Sequence, residues 1–224
     1  MSRAYDASVN PSPRRPAQAE RRWNTTQDTK AAFITAARAV FTERGFTATS
    51  VSDIVEHIDA SVGSLYHHFG GKSQLYQALW AGHEDRLQCA SRDAVRRASE
   101  QGTTDPFDLL LAGAEAFLET SWEDRDLVRL FADHDAPPGF AVLRAEAART
   151  WIGHNLRLLP GDSDEEPRRM LGVLLTNFVG FARYEVASEE DPDEARALIA
   201  ALMQVLAKLR LLLDQPNGET KGGA

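Results

Sequence analysis

Four residues in one short stretch combine the groups needed to hold a phosphate or read the edge of a base: Gly63, Ser64, Tyr66 and His67. Hydroxyls both donate and accept hydrogen bonds, an imidazole can do either, and a glycine lets a backbone N–H approach a partner closely. All four fall near the start of a helix predicted from Val62 to about Phe69 and capped by Ser61. Leu65 and Phe69, four apart, must face inward, which leaves the four chemical residues outward. There the free N–H groups and the positive end of the helix dipole favour an anion. A helix of this kind suits a major groove.

Two further elements are needed to present it. A short helix beginning at Ser50 is signalled by a capping box, with Asp53 answering the Ser50 hydroxyl, and its core face is Val51, Ile54, Val55 and Ile58. Asp59 and Ala60 form the turn that follows, Asp being among the few non-glycine residues that tolerate a left-handed backbone. Ahead of both lies a longer helix, about Thr26 to Arg44, on which Phe33, Ala37, Val40 and Phe41 recur at helical spacing. Gly45 should end it in a Schellman motif, with Phe46 folding back on Phe41.

The segment TKAAFITAARAVFTERGFTATSVSDIVEHIDASVGSLYHHFGGKSQLYQAL resembles the DNA-binding region of the TetR family of bacterial transcriptional regulators. The likeness covers about 50 contiguous residues, with AARAVFTERGF, TSVSDI, GSLYHHF and GKSQL at the family's spacing. It implies that Ser50 and Ser52 touch phosphate or a base edge at the groove rim, and that Gly63 and Ser64 approach bases. Tyr66 and His67 would hold phosphates or reach into the groove, and Lys72, at the start of the next helix, would clamp a backbone phosphate. Two positions depart from the pattern: Asp59 stands where the turn commonly carries glycine, and Val62 where Lys or Gln is frequent. Val62 either extends the inward stripe of Leu65 and Phe69, the reading we prefer, or meets a thymine methyl.

A net charge of −8 looks wrong for a DNA-binding chain until its distribution is considered. Residues 1–24 carry a net +3, residues 25–82 a net −1 and residues 83–224 a net −10. The arginines of residues 1–24, set among Pro11, Pro13 and Pro16, suggest a disordered basic arm that either follows phosphates and the minor groove or is an inert tail. Hydrophobic residues make up 43% and charged residues 26%, and no apolar run approaches the roughly 20 residues of a membrane span. No secretory signal is seen, so a cytoplasmic protein without membrane attachment is expected. Cys89 is the only cysteine, which rules out an intrachain disulfide.

Beyond Gly71 the sequence reads as helices only: a long one to about Ala98, then Pro106 to about Trp122, Asp124 to about Ala132, and Phe140 to Leu159. The last two, about Glu166 to Ser188 and from Asp191 onward, look like a dimer-forming pair. On the first, Gly172, Thr176 and Gly180 recur every four positions, a stripe that lets another backbone come close. On the second, Leu198, Leu202, Val205, Leu209 and Leu212 alternate by four and three, with Ile199, Leu206 and Leu213 as a second row. An arc that wide must bury two sides, one on its own domain and one on a partner, though a monomeric core helix is the alternative.

The resemblance further implies a small-molecule pocket in this helical region. Amphipathic candidates are Trp122, Phe131, His134, Trp151, His154, Asn177, Phe181, Arg183 and Tyr184, since such sites join apolar walls to a few polar anchors. Catalysis has little to stand on: the histidines lack metal-ligand spacing, and no phosphate loop or nucleophile motif occurs. We therefore expect an all-α protein without metal or cofactor. Its parts would be the arm, a helix-turn-helix unit at 25–82, an effector and dimerisation unit at 83–215, and a flexible tail at 216–224. It should act as a homodimeric repressor that leaves a palindromic operator on binding an effector. A DNA-binding dimer without effector is the second reading, and an enzyme or ligand carrier that no longer binds DNA the third.

Overall fold

A computed structural model describes residues 16–159 and 166–213, with the side chains of 16–25, 167 and 211–213 excepted. Helix α1 spans Pro16–Ala48, starting well before the expected Thr26. Proline suits a first helical position, where its missing N–H would be unpaired anyway, and Ala17 to Arg22 favour helix. Residues 16–24 of the expected disordered arm are thus helical; residues 1–15 and the tail 216–224 lie outside the described residues.

Gly45 interrupts α1 with φ 77° and ψ 177°. Phe46 folds back on Phe41 as expected, ring centroids 6.0 Å apart. The ψ is extended, however, not the left-handed helical value of a Schellman ending, so that motif does not form. The Thr47 N–H is taken instead by the Asp135 carboxylate, from a distant loop.

Helix α2 (Val51–His57) carries the full Ser50–Asp53 capping box. Asp59 then adopts the left-handed backbone, φ 51°, that its side chain tolerates. Ser61 caps α3 (Val62–Phe69), and α4 (Lys72–Glu100) follows directly. Helices α5 (Pro106–Glu123, capped by Asp105) and α6 (Arg125–Ala132) come next, then α7 (Phe140–Leu156), which stops short of Leu159. Helices α8 (Glu166–Ser188) and α9 (Pro192–Leu213) complete an all-α chain with no strand among the described residues.

The core that supports α3 does not end at the helix-turn-helix. Phe33, Phe41, Ile54, Leu65 and Tyr76 are fully buried, and Leu127, Leu130 and Phe131 of α6 and Phe140 of α7 pack into the same cluster. Tyr76 lies edge-on to Phe41, Phe46, Phe131 and Phe140 at centroid distances of 5.2–5.4 Å. Two further clusters fill the helical region, one around Leu87, Phe117, Val186 and Ile199, the other around Phe107, Leu175 and Leu206. Helix α4 pairs most extensively with α5, so it belongs to both ends of the molecule.

Charge pins the same junction. Buried Asp124, where α5 gives way to α6, accepts from Arg38 of α1 at 3.0 Å and from Arg86 of α4 at 3.2 Å, and faces His83 Nδ1 at 3.3 Å. Arg38 also forks onto Asp126 at 2.8 and 2.6 Å.

Candidate DNA-reading helix and cavity

Helix α3 displays the expected side chains. Gly63, Tyr66 and His67 are exposed, Tyr66 by 53%, and Ser64 is half-buried with its N–H donating to the Ser61 hydroxyl at 3.1 Å. Leu65 is fully buried and Phe69 packs edge-on to Phe33 at 5.9 Å. Val62 overturns our preferred reading: it is 44% exposed and faces solvent beside Tyr66. Ile58 and Ala60, ahead of it, pack on the core instead. Its exposure keeps Val62 accessible for the alternative contact.

Of the two serines at the rim, Ser52 is exposed. The Ser50 hydroxyl is engaged locally, donating to Asp53 Oδ2 at 2.6 Å and accepting the Asp53 N–H at 3.2 Å. The hydroxyl bond, a second from the Ser50 N–H to the same oxygen at 2.7 Å, and Arg44 nearby hold the Asp53 carboxyl below the usual carboxylate range. Lys72 is more deeply committed than the resemblance implies. Its ammonium donates to the carbonyls of Phe46 at 2.8 Å and Thr49 at 2.7 Å and lies 4.2 Å from the Phe46 ring centre. It ties α4 to the end of α1, and a phosphate would compete with those carbonyls.

At the other end, α4, α5, α7 and α8 enclose a cavity of about 620 Å³. Trp151, Asn177, Phe181, Arg183 and Tyr184 line it, as expected. Four other candidates do not. Phe131 is buried in the core beneath the helix-turn-helix, and His134 lies exposed in the loop after α6. Trp122 faces away, donating its indole N–H to the Glu189 carbonyl at 3.1 Å. His154 packs on Trp151 at 6.4 Å outside the cavity, where burial holds its imidazole below the ordinary value.

Residues missed in the sequence give the cavity its character. Glu84 is buried, accepts the Trp151 indole N–H at 3.2 Å and faces Arg183 at 3.7 Å. Arg144 donates to the Phe131 carbonyl and to the Tyr184 hydroxyl, both at 3.1 Å, and Arg183 donates to the same hydroxyl at 2.9 Å. On α7 itself, Ala141, Ala145 and Ala148 add a stretch of wall with only methyl groups. Their spacing of four and three was the available signal, but an alanine face is equally typical of a packed helix.

The small-residue stripe of α8 is turned inward, against expectation. A Cβ at Gly172 would lie 2.5 Å from Leu156 of α7, and Thr176 accepts the Asn155 amide at 2.9 Å; Thr176 and Gly180 both line the cavity. The close approach belongs to α7 of the same chain. What α8 leaves open is another face: Met170, Leu174 and Phe178 are exposed by 41–62%, and Phe181, which lines the cavity, by 67%. On α9, Leu198 and Leu202 are half-buried against the second core, whereas Val205 and Leu209 are exposed by 54% and 36%. The side chains of Leu212 and Leu213 lie outside the described residues.

A helix-turn-helix presenting an outward α3, joined to an all-α body, defines a DNA-binding transcriptional regulator rather than an enzyme. The chain belongs to the TetR family. Residues 33–79 match the family described as bacterial regulatory proteins, tetR family. The transcriptional activator FasR of Mycolicibacterium smegmatis is 30% identical over 192 residues, 83% of this chain and 85% of its own length. The repressor KstR2 of Mycobacterium tuberculosis is 39% identical over 74 residues, about a third of each chain. Among solved structures, a transcriptional regulator from Aquifex aeolicus VF5 superposes with a TM-score of 0.60 at 20% identity, covering 81% of this chain and 99% of its own. The ketosteroid transcriptional regulator KstR2 superposes at 0.55 and 22%, covering 79% and 94%. No helix among the described residues is long and apolar enough to cross a membrane.

Proposed function

We propose that this regulator is a cytoplasmic homodimer that occupies a palindromic operator and leaves it when a small molecule fills the cavity. Residues 25–82 would read DNA through Ser52, Val62, Gly63, Ser64, Tyr66 and His67, with Ser50 and Lys72 shaping the surface. Residues 83–215 would hold the effector and the partner subunit. The observation that carries effector control is the continuity of the cavity wall with the DNA-reading unit. Arg144 in that wall bonds the last turn of α6, and the loop after α6 delivers Asp135 to Thr47. A molecule that fits better when α7 is displaced would disfavour the DNA-competent arrangement.

Dimerisation is supported by the exposed Leu174, Phe178 and Val205, large apolar side chains on the last two helices that a partner copy would cover. Two α3 helices about 34 Å apart would then meet successive major grooves. Repression by occupancy is the reading adopted for the sign. Activation is the second, favoured by the name of the relative that matches over most of its length.

Electrophoretic mobility shift against the DNA flanking its own gene, with footprinting, tests the DNA reading. A ligand that raises thermal stability and lowers operator affinity together supports effector control. A ligand that stabilises without releasing DNA defeats it. A promoter reporter with and without the regulator decides the sign.

A further inference from the structure

We propose that the cavity accepts an apolar molecule ending in a carboxylate, with the head seated against Arg183, Arg144 and the Tyr184 hydroxyl. This rests on the effector reading above and gives the effector its chemical class.

Three charged side chains line the cavity, Glu84, Arg144 and Arg183, leaving one positive charge in excess within otherwise largely apolar walls. An unbalanced charge in such surroundings is unfavourable and calls for an opposite one. Glu84 does not supply it fully, because its carboxylate is shared between the Trp151 indole and a guanidinium 3.7 Å away. Arg183 has an Nε–H that is buried with no acceptor, while its other end is held by Tyr184. Arg144 reaches the same phenolic oxygen from the other side. That oxygen therefore accepts from both arginines, and its proton is left to be donated toward a guest. Burial alone would raise the Tyr184 phenol; Arg183, then Arg144, outweigh it and hold the phenol below its ordinary value.

A carboxylate answers all of this at once. It accepts the Tyr184 hydroxyl in a charge-assisted bond and, beside the two guanidinium groups, cancels the excess charge. A neutral head leaves the charge unbalanced, and an ammonium adds to it. The body of the guest then lies along Trp151, Phe117 and the alanine wall, where nothing polar needs a partner.

The test uses the full-length protein and two apolar bodies, decyl and naphthyl, each bearing a carboxylate, a hydroxyl or an amine, read by calorimetry and thermal shift. In at least one series the acid should bind at least about tenfold more tightly than the alcohol, and Arg183→Met and Arg144→Met should each abolish that preference. If Arg183→Met does not fold, Arg144→Met together with the head-group comparison in the unaltered protein decides. Alcohol or amine equal to the acid in both series overturns the assignment, as does no binding at all or an acid preference that survives both substitutions. A neutral probe that binds as tightly as either acid and releases DNA likewise overturns the carboxylate head while leaving effector control standing. An acid that binds through the arginines without altering operator affinity upholds the head-group assignment and defeats effector control.

Discussion

Asp135, in the loop between α6 and α7, grips Thr47 near the end of α1. The Thr47 N–H donates to both carboxylate oxygens at 3.0 Å, and its hydroxyl also donates to Oδ1. Gly45 makes room for this: a Cβ there would lie 2.5 Å from Asp135 Oδ2, on a backbone whose φ of 77° already disfavours other residues. A loop that leads into α7, a wall of the cavity, is thus fastened to the base of the helix-turn-helix.

Replacing Asp135 with Ala should lower stability by about 1–3 kcal/mol, the cost of removing hydrogen bonds to a charged acceptor, measured by urea unfolding. Operator affinity should fall as α2 and α3 lose their fixed base. The Thr47 bonds hold the Asp135 carboxyl below its usual range. Its folded pKa is therefore lower than its unfolded one, so its stabilisation is complete above the usual carboxylate range and is lost as pH falls through the depressed folded value. The stability gap between the original protein and Asp135→Ala should accordingly narrow on acidification. A gap that stays constant would show that the carboxylate charge is immaterial.

Asp124 is a second acid-sensitive fastener. Asp124→Ala removes the carboxylate shared by Arg38, Arg86 and His83 and should cost about 3–5 kcal/mol, the range for breaking a buried ion cluster. Burial raises its pKa, but His83 and the two arginines outweigh that and leave it lowered. The sign is the same, with protection lost at low pH. Thermal melts from neutral pH downward would test it, and a variant as stable as the original would remove the cluster from the fold's support.

On the DNA face, Tyr66→Phe should weaken operator binding several-fold with little change in sequence preference, whereas Val62→Ala should reduce the advantage of sites with thymine beneath it by about 1–3 kcal/mol per contacted base at most. Lys72→Ala should lower thermal stability even without DNA, because the carbonyls of Phe46 and Thr49 lose their donor. Unchanged stability with a salt slope reduced by about one would return Lys72 to the phosphate role.

The exposed surface of α8 and α9 should separate cleanly from the inward face of α8. Leu174→Glu or Val205→Glu puts a charge on an exposed apolar patch and should yield monomers in sedimentation without unfolding. Gly180→Leu should instead leave dimers intact and occupy cavity volume, depressing ligand response. Monomers from Gly180→Leu and dimers from Leu174→Glu would reverse this assignment.

The helix-turn-helix was readable from local rules, since caps, the Asp59 turn and inward residues at i and i+4 depend on neighbours in the chain. The faces of α8 were not. Gly172, Thr176 and Gly180 signal that a backbone comes close, but not whether it belongs to α7 of the same chain or to another subunit. Leu174 and Phe178, one step round the helix, carry the exposed surface. Phe131 was misjudged, and the carbonyl partners of Lys72 went unseen, for a related reason: Tyr76 and Phe46 are brought to them by how α4 and α6 dock on α1, which no short window contains. Arg144 passed unnoticed because a lone arginine among alanines gives no sign of pointing inward until Tyr184 and Phe131 are placed around it.

Ala141, Ala145 and Ala148 bound the cavity with methyl groups alone, so one side of its outline is the bare surface of a helix. Molecular choice at such a wall is written in missing atoms. Adding a carbon or two at any of the three exposed positions would narrow the cavity. If the cavity holds an effector, such single steps would change which compound is accepted without touching α3.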